Sequence, residues 1–175
     1  MLTEPLPNTL DVRKAAARGV SISGALKPVD LPRFVALLAS EQGEIRAELT
    51  FSRDEEKQAV IGVHYQARVS VECQRCLQAM PLELAGENTL GIVWTDDQAR
   101  HLPRHLDPLI VPEEGSNLWE LVEDELILAL PPFNYHETKD CKQILSDYTG
   151  PAPDEEEGDS KPNPFDILAQ LKTDK

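Results

Sequence analysis

A strict alternation of apolar and polar residues in the middle of this chain constrains its fold more than any other feature. Every second residue from Ala59 to Val71 is apolar, and most of the residues between them are polar or small. A period of two predicts a long β-strand with one buried face. The pattern returns on even-numbered positions between Met80 and Trp94, beyond a short polar segment. The two runs predict a long hairpin over about 58–94.

Shorter alternating runs at 20–26 and 44–52 predict two further strands ahead of the hairpin. Gly86 interrupts the second arm of the hairpin, and a glycine inside a strand often marks a β-bulge. Neighbouring strands joined by short connections pair antiparallel. We therefore expect the α+β class, with an antiparallel, partly closed β-sheet and helices packed on it.

Two segments near the N-terminus carry helix signals. Asp11 can cap a short helix that ends at Gly19. Asp30 can cap a second helix, with Pro32 in its first turn. Both helices precede the hairpin and can cover one face of the sheet.

The longest predicted helix starts at a cap on Ser116 or Asn117 and runs to Leu130, before two prolines. Three successive acidic residues lie in its middle: Glu123, Asp124 and Glu125. Such a run is usually a solvated helix face. Because the other sides of this helix are apolar, the run is alternatively an acidic contact surface for a basic partner.

Two short pairs of candidate metal ligands lie at Cys73 and Cys76 and at His136 and Cys141. Three thiols and one imidazole, in pairs with short internal spacing, suit a tetrahedral structural zinc ion. A four-ligand site leaves no open position, which predicts a stabilising role and not hydrolysis. The alternatives are thiols that bind nothing, since Cys73 continues the apolar face of its strand, and a redox-active pair.

Arg75 lies between the first two cysteines and is a candidate contact for a phosphate or carboxylate of a partner. A solvated arginine at a hairpin tip is the alternative. Together with Arg46 and Arg68 it could form a minor basic patch, and this is the basis of a direct RNA-binding hypothesis. A thiol oxidoreductase is the other rival hypothesis.

Charge and composition limit the classes of function. The chain has 175 residues and a net charge of −14 at pH 7, which repels nucleic acid at long range and attracts basic proteins. Three cysteines and the lack of a signal peptide predict the reducing cytoplasm. No phosphate-binding glycine loop, nucleophile elbow or His-Glu-x-x-His motif occurs, which disfavours an enzyme.

The chain divides into a single domain over 1–150, an acidic flexible linker at 151–160 and a C-terminal helix at 161–175. The linker is rich in Asp, Glu and Pro and has nothing to bury. Phe165 and Leu168 belong to a short apolar stripe that should dock on the domain or on a partner.

Three stretches resemble one bacterial family. They read Val-Glu-Cys-Gln-Arg-Cys at 71–76, Val-Glu-Asp-Glu-Leu-Ile-Leu-Ala-Leu-Pro at 122–131, and Lys-Pro-Asn-Pro-Phe, Leu-Ala and Leu-Lys within 161–172. In this order they are similar to the YceD family of large ribosomal RNA subunit accumulation proteins. The resemblance implies a factor for synthesis, processing or stability of 23S ribosomal RNA. Combined with the acidic charge, it suggests an adaptor for a ribosomal or rRNA-processing protein.

Overall fold

The computed structural model describes residues 4–112, 115–137 and 141. The strands of this part are β1 (Thr9–Leu10), β2 (Ser21–Leu26), β3 (Glu44–Arg53), β4 (Ala59–Glu72), β5 (Ala79–Val93), β6 (Asp107–Ile110) and β7 (Ser116–Asn117). Its helices are α1 (Val12–Arg18), α2 (Pro32–Val35), α3 (Asp96–Arg100) and α4 (Leu118–Ala129), with a 3₁₀ turn at Pro28–Asp30. No described helix has the length and apolar character needed to cross a membrane.

The main sheet is five-stranded, in the order β2-β3-β4-β5-β6, and a small second sheet pairs β1 with β7. Strands β2 to β5 pair antiparallel, whereas β6 runs parallel to β5. The α+β class and the largely antiparallel sheet are therefore confirmed. The expected partial closure is wrong, because β2 and β6 do not pair with each other and the sheet stays open.

The long hairpin of β4 and β5 is confirmed, and its register is unbroken from Val60 opposite Gly91 to Glu72 opposite Ala79. The predicted bulge at Gly86 is therefore wrong. Gly86 lies directly opposite Tyr65, and a Cβ atom at Gly86 would collide with the tyrosine hydroxyl group. The glycine makes room for a cross-strand aromatic ring and leaves the ladder regular.

The core lies on one face of the sheet, under α1, α2 and α4. Side chains alternate between buried and exposed along β3 and β4, as the period of two predicts. The largest fully buried side chains include Phe34, Leu49, Phe51, Ile61, Ile92, Leu118 and Leu126.

The caps of two helices agree with the sequence. Asp11 accepts a hydrogen bond from the backbone N–H of Lys14 at 3.0 Å, and Gly19 ends α1 in the left-handed conformation with φ 64°. Asn117 caps α4 by accepting from the backbone N–H groups of Trp119 and Glu120.

The cap expected at Asp30 is wrong. Helix α2 begins at Pro32, and its preceding residue Leu31 has no side chain that can accept a hydrogen bond. Asp30 instead accepts from the backbone N–H of Lys27 at 2.8 Å, within the 3₁₀ turn. The first N–H groups of α2 therefore need an acceptor from elsewhere in the fold.

Candidate metal centre

The tip of the β4–β5 hairpin presents the first cysteine pair. The backbone N–H of Cys73 donates to Gln78 O at 2.9 Å, and Leu77 N–H donates back to Cys73 O at 2.8 Å. Leu77 adopts the left-handed conformation with φ 57°, which is uncommon for a residue with a side chain. This tight turn places Cys73 and Cys76 near each other at the end of the sheet.

The segment after α4 brings the second pair of ligands to the same place. Two hydrogen bonds hold it beside the hairpin tip: Gln74 N–H donates to Asn134 O at 2.9 Å, and Gln74 Nε2 donates to Pro132 O at 3.4 Å. His136 follows directly on this segment. Its Nδ1 lies 3.3 Å from the Cys76 sulfur.

All four predicted ligands converge. One donor atom each from Cys73, Cys76, His136 and Cys141 lies within 4.8 Å of the other three. The sulfur atoms of Cys73 and Cys141 are 3.5 Å apart. In a tetrahedral zinc site, bonds of about 2.3 Å place sulfur ligands roughly 3.8 Å from one another. The spacing and the Cys₃His chemistry therefore fit a zinc ion, and Cys73 and Cys141 are buried.

The electrostatics favour a thiolate at this site. Burial alone would raise the pKa of Cys73, but hydrogen bonds from the backbone N–H groups of Cys76, His136 and Arg75 outweigh it and lower the pKa to about 5. The pKa of Cys141 is raised by burial and by the two neighbouring sulfur groups. The protein by itself thus stabilises one negative sulfur. A bound dication would stabilise the other two as thiolates.

Arg75 is held against the centre. Its Nη1 lies 3.9 Å from the Cys141 sulfur, and its guanidinium carbon lies 4.7 Å from the centre of the Tyr135 ring. The arginine predicted as a partner contact therefore also has partners within the fold. Arg75 is therefore not simply a solvated arginine at the hairpin tip.

The acidic run of α4 is divided by the fold. Glu123 and Glu125 are buried, and the expectation that they belong to an exposed acidic surface is wrong. Glu123 accepts hydrogen bonds from the backbone N–H groups of Arg33 and Phe34, so it supplies the missing cap of α2. Asp124 alone of the three is exposed, and it pairs with Arg33 at 2.8 Å.

Glu125 faces Asn88 on β5, whose side-chain nitrogen donates to both carboxylate oxygens at 3.3 and 3.4 Å. Burial raises the pKa of Glu125, and the charges of Asp107 and Asp124 raise it further against this hydrogen bond.

The arginines of the hypothetical RNA-binding patch each have an acidic or aromatic neighbour. Arg68 pairs with Glu83 at 3.0 Å, and Arg46 lies 3.7 Å from Glu44. Phe165 and Leu168, the predicted linker at 151–160 and the predicted helix at 161–175 lie outside the described residues.

Sequence reasoning missed the exposed aromatic pair beside the centre. Phe133 and Tyr135 stack with an interplanar angle of 5° and ring centres 6.5 Å apart. Their spacing, with one residue between them after two prolines, could have indicated an extended segment with both rings on the same side.

Residues 61–172 match the family described as Large ribosomal RNA subunit accumulation protein YceD. The chain belongs to the YceD family. A Haemophilus influenzae protein of the same description is 36% identical over 169 residues, which cover 95% of this chain and 96% of that relative. No solved structure matches the chain. The region matched to the YceD family contains the hairpin tip and all four residues of the candidate metal centre.

Proposed function

We propose that this chain is a non-catalytic factor that supports the accumulation of large-subunit ribosomal RNA by binding a basic ribosomal or rRNA-processing protein in the cytoplasm. Membership of the YceD family supports a role in the accumulation of large-subunit ribosomal RNA. The closed set of four ligands at the hairpin tip carries the molecular part of the proposal. Such a set organises a surface and leaves no coordination position for a substrate.

The proposed ligand of this centre is one structural zinc ion. Three thiolates and a neutral imidazole would hold it, and they would join the hairpin tip to the segment after α4. The metal would thereby stabilise a contact between residues about sixty positions apart. The thiol oxidoreductase alternative receives less support, because Cys73, which has the lowered pKa, is fully buried and cannot meet a substrate disulfide.

The acidic surface supports a basic partner. A groove of about 640 Å³ beside α2 and α4 includes Asp30, Glu120 and Asp124 in its lining. Arg33 is the basic residue of this lining, and Glu123 and Asp124 already pair with it. The groove therefore presents net negative charge to a partner, in line with the −14 of the whole chain.

Ribosome profiles of cells that lack this chain test the proposed process. We expect scarce or immature large subunits, restored by the wild-type chain but not by Cys73→Ser. Gln78→Ala is the matched control, since Gln78 uses its backbone carbonyl at the same tip and its side chain is exposed. Normal profiles in the absence of the chain would refute the proposal.

A further inference from the structure

Three large apolar or aromatic side chains are exposed beside the candidate metal centre. Leu77 is 66% exposed, Phe133 is 66% exposed and Tyr135 is 44% exposed. Arg75 covers one side of the Tyr135 ring. We call these four residues the knuckle patch. Tyrosine, phenylalanine and arginine are the residues enriched at the centres of protein interfaces.

Leu77 is unfavourable for the isolated chain in two ways. Its backbone lies at φ 57°, where a glycine would be free of strain, and most of its side chain is exposed to solvent. The turn itself therefore needs no leucine. A strained and exposed residue of this kind is a reason to look for a binding role of the side chain.

Contacts within the fold support the aromatic side of the patch. Gln74 fixes the backbone at Asn134 and Pro132, on either side of Phe133. The two rings stack, and the Arg75 guanidinium rests on Tyr135 while it points toward the Cys141 sulfur. A surface that is ordered before binding loses little conformational entropy when a partner arrives.

Charge decides which partner fits. A zinc ion with three thiolates and a neutral histidine carries a net charge of −1, which Arg75 balances. Among the described residues that flank the ligands, Glu72 and Glu137 are exposed acidic side chains. The patch is therefore apolar at its centre and acidic beside it. Phosphates need uncommitted basic side chains, and Arg75, the basic residue that the described part of the chain places in the patch, already faces a ring and a sulfur.

We propose that the knuckle patch docks a basic protein segment that places an apolar side chain on Leu77 and the aromatic pair. Lysines or arginines of this segment would face Glu72 and Glu137. The proposal rests on the proposed function and adds a docking surface for it, made of residues other than those that line the acidic groove. The metal centre builds this surface and does not itself contact the partner.

The test uses the zinc-loaded full chain, immobilised, and the protein fraction of purified large ribosomal subunits freed of RNA. The variants are Leu77→Gly, which relieves the strained backbone, and Phe133→Ala, whose backbone is not in the left-handed region. Matched controls are Lys57→Gly, at the other non-glycine position with positive φ within the described residues, and Leu37→Ala, an exposed leucine elsewhere. Zinc content is measured for every variant, and an rRNA fragment is offered in a parallel experiment.

We expect the wild type and both controls to retain a basic protein, and both patch variants to retain it at least about tenfold more weakly with zinc unchanged. If Leu77→Gly loses zinc, the retention measured for Phe133→Ala decides whether the patch binds the partner. Equal retention by the patch variants would overturn the docking surface but leave the proposed function intact. Retention of nothing, or of RNA alone, by the wild type would overturn the docking surface, and the ribosome profiles of cells that lack the chain would then decide the proposed function.

Discussion

Glu123 of helix α4 caps helix α2 by accepting hydrogen bonds from Arg33. Its carboxylate accepts from the backbone N–H of Arg33 at 2.6 Å and from the Arg33 side-chain Nε at 2.8 Å. The same carboxylate accepts from a second backbone N–H of α2, so one residue of α4 completes the start of a helix 90 positions away. An anion at a helix N-terminus is stabilised by both the free N–H groups and the helix dipole.

Replacing this cap should destabilise the domain strongly. Glu123→Ala leaves two backbone donors of α2 without their acceptor, and we expect the free energy of unfolding to fall by about 3 kcal/mol. Denaturant unfolding of the zinc-loaded chain measures the change.

Asp124→Ala is the matched control, because Asp124 is the adjacent residue and binds the same arginine from an exposed position. An exposed ion pair contributes less than about 1 kcal/mol. Equal losses for the two variants would contradict the capping role of Glu123.

Glu125 should make stability depend on pH. Its pKa in the folded chain is raised above 4.5, first by burial and then by neighbouring acidic charges, so the folded state holds a proton that the unfolded state releases. Stability contributed by this group is therefore present below the unfolded pKa and is lost as pH rises through the folded pKa. Glu125→Gln removes this loss while keeping an oxygen for Asn88.

The measurement is unfolding of wild type and Glu125→Gln from acid to neutral pH. We expect the variant to gain stability relative to the wild type as pH rises above about 4.5, and then to keep a constant advantage. Glu83→Gln, which changes an exposed carboxylate on β5, the strand of Asn88, should show no such gain. If the free energies of unfolding of Glu125→Gln and wild type change in parallel with pH, burial does not raise the pKa of Glu125.

The contact of Tyr65 with Gly86 predicts a sharp difference between two glycines of the hairpin. Gly86→Ala forces a methyl group into the tyrosine ring, and we expect a loss of about 2 kcal/mol. At Gly62 the nearest atom to an added Cβ is 3.8 Å away, so Gly62→Ala should be neutral or slightly stabilising. Similar thermal unfolding of the two variants would show that the ring of Tyr65 yields easily.

The sequence patterns predicted the local features of the fold well and the long-range ones poorly. The period of two located both arms of the hairpin, and Asp11 and Asn117 were recognisable caps, because these signals depend on neighbouring residues. The parallel pairing of β6 was not predictable, since it depends on how the segment containing α3 crosses the sheet edge. The burial of Glu123 depends in the same way on a distant helix.

The convergence of the four candidate ligands was predictable from chemistry alone, because two closely spaced cysteine and histidine pairs suit one tetrahedral metal site. The knuckle patch was not predictable from the sequence. Phe133 and Tyr135 lie outside any regular element, and the left-handed conformation of Leu77 has no signal in a leucine. Their common location became apparent only once the hairpin tip and the segment after α4 were placed together.

Metal analysis of the purified chain, with Cys73→Ser beside it, tests the central claim most directly. We expect one zinc ion per wild-type chain, thiols that resist alkylation until a chelator is added, and no bound zinc in Cys73→Ser. A wild-type chain purified without metal, whose Cys76 reacts freely with an alkylating reagent, would contradict it.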